Sequence, residues 1–363
     1  MLKVKTRKLA VAVVAAGSVA GLGLLAISPA VGAPATSQAA RAARPAVITT
    51  TTIPVGTAPY GIAADPASHT VYVSNQTSNT VSVISEATDT VTHTVNAGTA
   101  PQGVAVDSNT GTVYVTNSGA GTVSVISEAT NAVIQTINVD VSGTDEIPDS
   151  VAVNAAAHTV YVGQYLGYVT TINDQTYAVS QVYNTNGLSH LFADAVNPST
   201  NTLYVTLQDE QSVGEISTTT NKLTATLTGV GLPADAVIEN SATAGYPGYL
   251  YVPSFTIHGV VVYSNINTGS GLILNVIHAP SGDTTQAGAV DAATDTLFEA
   301  LAPANGNGSV AIISGASGIT PATTATVTVG NNPRAITVDP GEGAAGTVFV
   351  VNTGSSTVTA FAG

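Results

Sequence analysis

Tyr114-Val115-Thr116-Asn117, the tetrad Y-V-T-N, decides the fold, because the chain repeats it in altered spellings along most of its length. Tyr72, Tyr114, Tyr161, Tyr204, Tyr251, Phe298 and Phe349 open seven such tetrads, at spacings of 42, 47, 43, 47, 47 and 51 residues. A period of this size marks one supersecondary unit copied along the chain, and it outranks any local signal. Length alone would divide 363 residues into several domains. Repeats that pack on their neighbours count instead as one.

The second copy shows what the unit is. Pro101 to Asp107 (P-Q-G-V-A-V-D) reads as a short strand, followed by a turn at Ser108-Asn109. Thr112 to Asn117 is the next strand, with Val, Tyr and Thr favouring the pleat. Ser118 to Gly121 turns the chain, then Thr122 to Ser127 and Ala132 to Ile137 give two more strands. Four strands with turn chemistry between them form an antiparallel meander. In Val113-Tyr114-Val115 consecutive residues are apolar, so both faces of that strand are expected to be buried. Val91 to Val95 (V-T-H-T-V) alternates, as a half-exposed outer strand does. Inner strands covered on both sides and outer strands covered on one describe blades packed around an axis: an all-β, seven-bladed β-propeller of four-stranded antiparallel blades.

The seventh copy ends after its third strand, Val358 to Phe361, while Ala46 to Val55 precedes the first copy and has the character of a fourth strand. Joining the two is expected to close the ring, the N-terminal strand completing the last blade.

The repeats resemble the YVTN family of seven-bladed β-propellers, found in secreted bacterial proteins. The likeness covers about residues 46 to 361; Tyr114 to Asn117 matches in full, Tyr72 to Asn75 reads Y-V-S-N and Phe349 to Asn352 reads F-V-V-N. The middle copies drift to Y-V-G-Q, Y-V-T-L, Y-V-P-S and F-E-A-L, which puts the individuality of the chain in blades three to six.

Residues 1–35 carry Lys3, Lys5, Arg7 and Lys8, then the apolar or small run Leu9 to Ile27, then Ala30, Val31, Ala33 and Ala35. That order is the basic, apolar and cleavage-zone pattern of a secretory signal peptide, with a retained anchor helix as the alternative. Residues 36–45 read as a flexible Ala/Pro/Ser/Thr tether, and 46–363 as the propeller. The chain has no cysteine, which excludes a lipoprotein anchor and disulfides. Beyond the leader, four basic residues face 22 acidic ones, a net charge of −18. Such a surface repels nucleic-acid backbones and anionic lipids, so neither nucleic acid nor stable membrane insertion after cleavage is expected.

Loops that vary on a constant scaffold are where binding is installed. Aligning the copies puts Tyr60, Gln102, Asp149, Phe192, Ala234, Gln286 and Arg334 at the start of the innermost strands, on the channel-mouth face. Asn75, Asn117, Gln164, Asp209, Glu210, Phe255, His258 and Asn352 come to that face from the turns between second and third strands. Tyr60, Gln102, Asp149, Phe192, Gln286 and Arg334 are the candidate ligand-binding set. Arg334 suits a ligand carboxylate; its simpler role is to pair with a carboxylate such as Asp149.

Of the histidines, His69 and His158 fall in turns of the opposite face and His93 and His278 in outer strands, all read as solvated. His190 and His258 map to the mouth, near Asp194, Asp209, Glu210 and Asp235. Imidazole with carboxylates suits acid–base catalysis or a divalent metal, so His190, His258, Asp194 and Asp235 are the catalytic candidates, and Asp209 and Glu210 the metal candidates. A solvated acidic rim accounts for the same residues. The acidic loop Asp140 to Asp149 suits calcium, though it lacks a D-x-[DN]-x-[DN]-G spacing. No other cofactor is indicated, and no H-E-x-x-H, G-x-S-x-G or phosphate-binding glycine loop occurs. The expected function is therefore a secreted, non-catalytic binding propeller for a small molecule, glycan or protein at the channel mouth. The alternative is a hydrolase or lyase resembling the lactonase propellers.

Overall fold

The computed structural model describes residues 48–363 except 142, 144–146, 185–189, 235–237, 241–247, 265, 267–270, 281, 319 and 341–345. Among the described residues, 28 strands form seven four-stranded antiparallel sheets. After the first strand β1 (Thr50–Pro54), blade one is β2 (Pro59–Asp65), β3 (Thr70–Asn75), β4 (Thr80–Ser85) and β5 (Thr90–Asn96). Blade two is β6 (Pro101–Asp107) to β9 (Ala132–Asn138), and blade three is β10 (Pro148–Asn154) to β13 (Val179–Asn184). Blade four runs from β14 (Leu191–Asn197) through β15 (Thr202–Leu207) and β16 (Ser212–Ser217) to β17 (Lys222–Thr228). Blade five runs from β18 (Ile238–Asn240) through β19 (Tyr249–Ser254) and β20 (Gly259–Ser264) to β21 (Leu272–His278). Blade six runs from β22 (Thr284–Asp291) and β23 (Thr296–Ala302) to β25 (Ala322–Asn331). Blade seven consists of β26 (Pro333–Asp339), β27 (Thr347–Asn352) and β28 (Thr357–Ala362), with β1 paired on β28 from Thr50↔Phe361 to Pro54↔Thr357. The first strand of each blade adjoins that of the next, and β26 adjoins β2, so the innermost strands surround a channel.

The tetrad aromatics hold neighbouring blades together. All seven, from Tyr72 to Phe349, are buried to 3 % exposure or less. Tyr72 packs with Val113 and Ile126 of blade two, and Phe349 with Val71 and Ile84 of blade one. Aromatics of this size bury about 150–250 Å² each, which makes them the main apolar contribution at each seam.

The hydroxyls add a second, polar layer on the face away from the candidate mouth. Tyr72 hydrogen-bonds with Glu128 of blade two, and Tyr161 with Thr218 of blade four. Phe349 has no hydroxyl to offer at the corresponding place between blades seven and one. There Glu86, at the end of β4, meets Asp339, at the end of β26; burial first, and Asp339 second, push the Glu86 carboxyl up to about 8.

The tetrad asparagines do not serve as mouth ligands. Asn75, Asn117 and Asn352 are fully buried. Asn117 Nδ2 donates to Thr122 Oγ1 and Ser124 Oγ, and Asn75 Nδ2 to Thr80 Oγ1 and Ser82 Oγ. A buried amide must find such partners, and here they lie one strand further out. Gln164 plays the same part in blade three, donating to Thr170 Oγ1 and the Val139 carbonyl.

Candidate functional site

The site begins with an irregularity in the innermost strands. Each of β2, β6, β10, β14, β22 and β26 shifts register near its start, between Pro59/Ile62, Pro101/Val104, Pro148/Ser150, Leu191/Asp194, Thr285/Ala287 and Pro333/Ala335. Tyr60, Gln102, Asp149, Phe192, Gln286 and Arg334 are the residues inside those bulges. A bulge leaves a residue outside the ladder and re-aims its side chain, which is how a strand otherwise buried on both faces presents groups at its end. Proline opens four of these strands, a first position where its missing N–H removes nothing from the ladder.

The third residue of the tetrad sets how close the bulges approach each other. Thr116 Oγ1 accepts from Gly103 N–H at 2.7 Å and donates to the Asp149 carbonyl of the next blade at 3.1 Å. Ser74 does the same between Gly61 N–H and the Gln102 carbonyl. The glycines are required at this approach: a Cβ on Gly103 would stand 2.8 Å from the Asp149 oxygen.

Blade three breaks the pattern, with Gly163 in place of the hydroxyl residue. The vacated space is filled by the Asp194 carboxylate from blade four, which accepts from Ser150 Oγ at 2.8 Å and from the Gly163 N–H. Burial raises the Asp194 carboxyl to about 6, with the two hydrogen bonds opposing that rise in part.

A cavity of about 190 Å³ lies where these elements converge. It is lined by Tyr60, Asp149, Ser150, Phe192, Asp194 and Arg334, with aliphatic strand residues such as Ile62 and Ile336. The Arg334 guanidinium stacks 3.7 Å from the centre of the Tyr60 ring and donates to its hydroxyl, a contact between blades seven and one. The pocket therefore pairs one permanent cation and two aromatic rings with two carboxyls. It is smaller than the roughly 300–1,000 Å³ of drug-sized pockets, which suits a small polar group more than an extended molecule. Gln102 and Gln286 stand in their bulges outside the lining, and Ala234 is buried beside blade five.

Next to Phe192 is an aromatic shelf. Tyr165 stacks on His190 with ring centres 4.2 Å apart, and meets Phe192 edge-on at 5.5 Å. His190 Nδ1 lies 3.1 Å from Asp209 Oδ2, and its backbone N–H donates to the same oxygen. Glu210 is exposed on that turn. His258 is exposed on the turn between β19 and β20 with φ of 52°, its Nδ1 3.3 Å from the Asp283 carbonyl. The catalytic candidates thus take separate partners: Asp194 takes Ser150, His190 takes Tyr165 and Asp209, and His258 takes Asp283. Asp235 lies outside the described residues, as do Asp145 and Glu146 of the calcium candidate loop and the whole of residues 1–45.

Tyr165 and Ser150 were not among the residues picked out by the repeat. The signal for Tyr165 was present: it follows its tetrad where other copies place Gln76, Ser118 or Thr353, so it is an aromatic in a polar turn position.

No protein-family model matches the chain, and no curated protein matches it. Among solved structures, a chain of hydrazine synthase from Kuenenia stuttgartiensis superposes with a TM-score of 0.64 at 17 % identity, covering 85 % of this chain and 97 % of that one. The β-propeller domain of Cps50 (Swd1) from Myceliophteria thermophila superposes with a TM-score of 0.67 at 9 % identity, covering 86 % and 99 %. At these identities the likeness is one of fold: the chain is a seven-bladed β-propeller.

Proposed function

We propose that this chain is a secreted propeller of the YVTN type that binds a small polar ligand, the terminal unit of a glycan or the end of a peptide, at the channel mouth. The observation that carries the reading is the cavity between Arg334–Tyr60 and Phe192–Asp194. Propellers with a binding or scaffolding role present such a mouth, and this one combines stacking rings with donors and acceptors of both signs. Secretion rests on the basic and apolar leader, and the YVTN assignment on the tetrads.

The test is binding to panels of short glycans and peptides by calorimetry or ligand-observed NMR. Phe192→Ala and Arg334→Ala are expected to lose at least about tenfold in affinity, while His278→Ala on an outer strand is neutral. Equal affinities across all three variants would refute the mouth as the binding site.

A second reading, a hydrolase, is favoured by one observation. Asp194 is a cavity carboxyl raised to about 6 and hydrogen-bonded to a serine hydroxyl, a proton acceptor tuned near neutrality. Turnover of lactone or ester substrates that vanishes in Asp194→Asn would establish it; inert Asp194→Asn and wild-type chains alike would discard it.

A further inference from the structure

The seam between blades seven and one holds two buried carboxylates and an imidazole. His69 occupies the turn after β2, Glu86 follows β4 and Asp339 ends β26. His69 Nδ1 lies 3.3 Å from Asp339 Oδ2 and 3.7 Å from Glu86 Oε2, and one donor atom from each residue falls within 4.8 Å of the others. The side chains of Asp339 and Glu86 are 1 % and 10 % exposed, whereas His69 is 57 % exposed. Glu86 hydrogen-bonds with Asp339, while its Oε1 is buried with no partner of its own. Among the described residues this is the one grouping of three such donors.

Charge makes the grouping more than an acidic cluster. Residues 48–363 contain two Lys or Arg residues, Lys222 and Arg334. Arg334 sits at the opposite end of β26, stacked on Tyr60, and Lys222 opens the outer strand of blade four. Neither belongs to this end of the seam, and Asp65 and Asp89 add negative charge around Glu86. At the next seam, between blades one and two, Tyr72 bonds Glu128 and Ser108 bonds Asp65. Phe349 withholds that hydroxyl from Glu86.

We propose that His69, Glu86 and Asp339 bind a divalent transition-metal cation, zinc being the best fit, which ties blade seven to blade one. Ligands about 2.1 Å from a tetrahedral zinc stand about 3.4 Å apart, close to the two imidazole–carboxylate distances. One nitrogen and two carboxylate oxygens leave a fourth position for water. His69 projects from the surface, which gives the ion a path in, while the two carboxylates are already desolvated and face each other. The site is remote from the channel mouth, so it stands or falls apart from the binding function proposed above.

The test is titration of the purified full chain, stripped with EDTA, with Zn²⁺, Co²⁺ and Ca²⁺ by calorimetry, with thermal unfolding in parallel. One Zn²⁺ per chain is expected, together with the intense visible absorption of tetrahedral Co²⁺. The midpoint is expected to rise by roughly 5 °C at a hundredfold excess over the dissociation constant. His69→Asn keeps a residue suited to the left-handed turn (φ 51°), and it should remove both the binding and the shift without unfolding the chain. Asp339→Asn is the second variant. Absence of stoichiometric zinc, binding undiminished in His69→Asn, or preference for Ca²⁺ over Zn²⁺ would each overturn the proposal.

Discussion

Gly163 and Asp194 occupy one space: a Cβ on Gly163 would stand 2.7 Å from Asp194 Oδ2 and 2.9 Å from Oδ1. Blade three thus gives up the tetrad hydroxyl and blade four supplies a carboxylate in its stead. Restoring the repeat residue with Gly163→Thr is expected to destabilise the chain by about 1–3 kcal/mol through overpacking. Adding Asp194→Ala should recover part of that loss and no more, because the Ser150 hydroxyl, the nearest atom to the same Cβ position, still crowds the threonine. Urea unfolding of the two single variants and the double variant measures the coupling. Additive losses would show that the two positions are independent.

Glu299 and Asp194, together with Glu86 at about 8, set an unusual dependence on pH. Burial raises Glu299 to about 7, partly offset by the Thr285 hydroxyl, which donates to Oε1 at 2.7 Å; Asp194 stands at about 6. Both folded values lie above the ordinary carboxyl range, so between the two values the folded chain holds protons that the unfolded chain has released. Their contribution is therefore full below pH about 4 and is lost as pH rises through about 6 for Asp194 and about 7 for Glu299. For fully buried Glu299 the change amounts to at most about 3 kcal/mol. The urea midpoint is expected to fall between pH 4.5 and 8, and Glu299→Gln to flatten that fall. A midpoint that climbs over this range would contradict the assignment.

The repeat made the fold legible because a residue buried between two blades tolerates little variation in size, and Tyr or Phe recurs there from Tyr72 to Phe349. It also fixed the phase at which each innermost strand begins, so Tyr60, Asp149, Phe192 and Arg334 could be placed at the mouth from alignment of the copies alone. What escaped was side-chain pairing between strands, within a blade and across seams. Gly163 looks like decay of the motif until Asp194 is seen filling its place. Asn75 and Asn117 look like loop donors, yet their partners lie in the next strand. His69 reads as solvated because Asp339, its partner, is 270 residues away in the chain.

Thr116 tests the hydroxyl stitch between blades two and three. Thr116→Val preserves shape but strips a fully buried group that serves Gly103 N–H and the Asp149 carbonyl. Two backbone groups then lose a partner, at an expected loss of about 1–3 kcal/mol. Thr116→Ser should retain most of the stability. Because Asp149 lines the cavity, the valine variant is also expected to weaken ligand binding, read by the same calorimetry. A valine variant as stable as the serine variant would mean that water replaces the stitch.

The pairing of β1 with β28 gives the last prediction. Ile53 is 1 % exposed and packs with Val71, Phe349 and Val358, so β1 fills the seam of blades seven and one as well as covering the edge of β28. A chain beginning at Gly56 loses that side chain and the ladder from Thr50 to Pro54, and it exposes β28 as an unpaired edge. Burial of Ile53 alone contributes about 2–3 kcal/mol, and the lost ladder adds to it. The truncated chain should therefore melt well below the intact one, exchange its β28 amides faster and associate through the bare edge. A synthetic peptide of residues 46–55 added in trans should restore the midpoint in a concentration-dependent way, whereas the same peptide with Ile53→Asp should not. If the truncated chain melts with the intact one, β1 is an ornament on blade seven, and closure rests on the packing of β26 against β2.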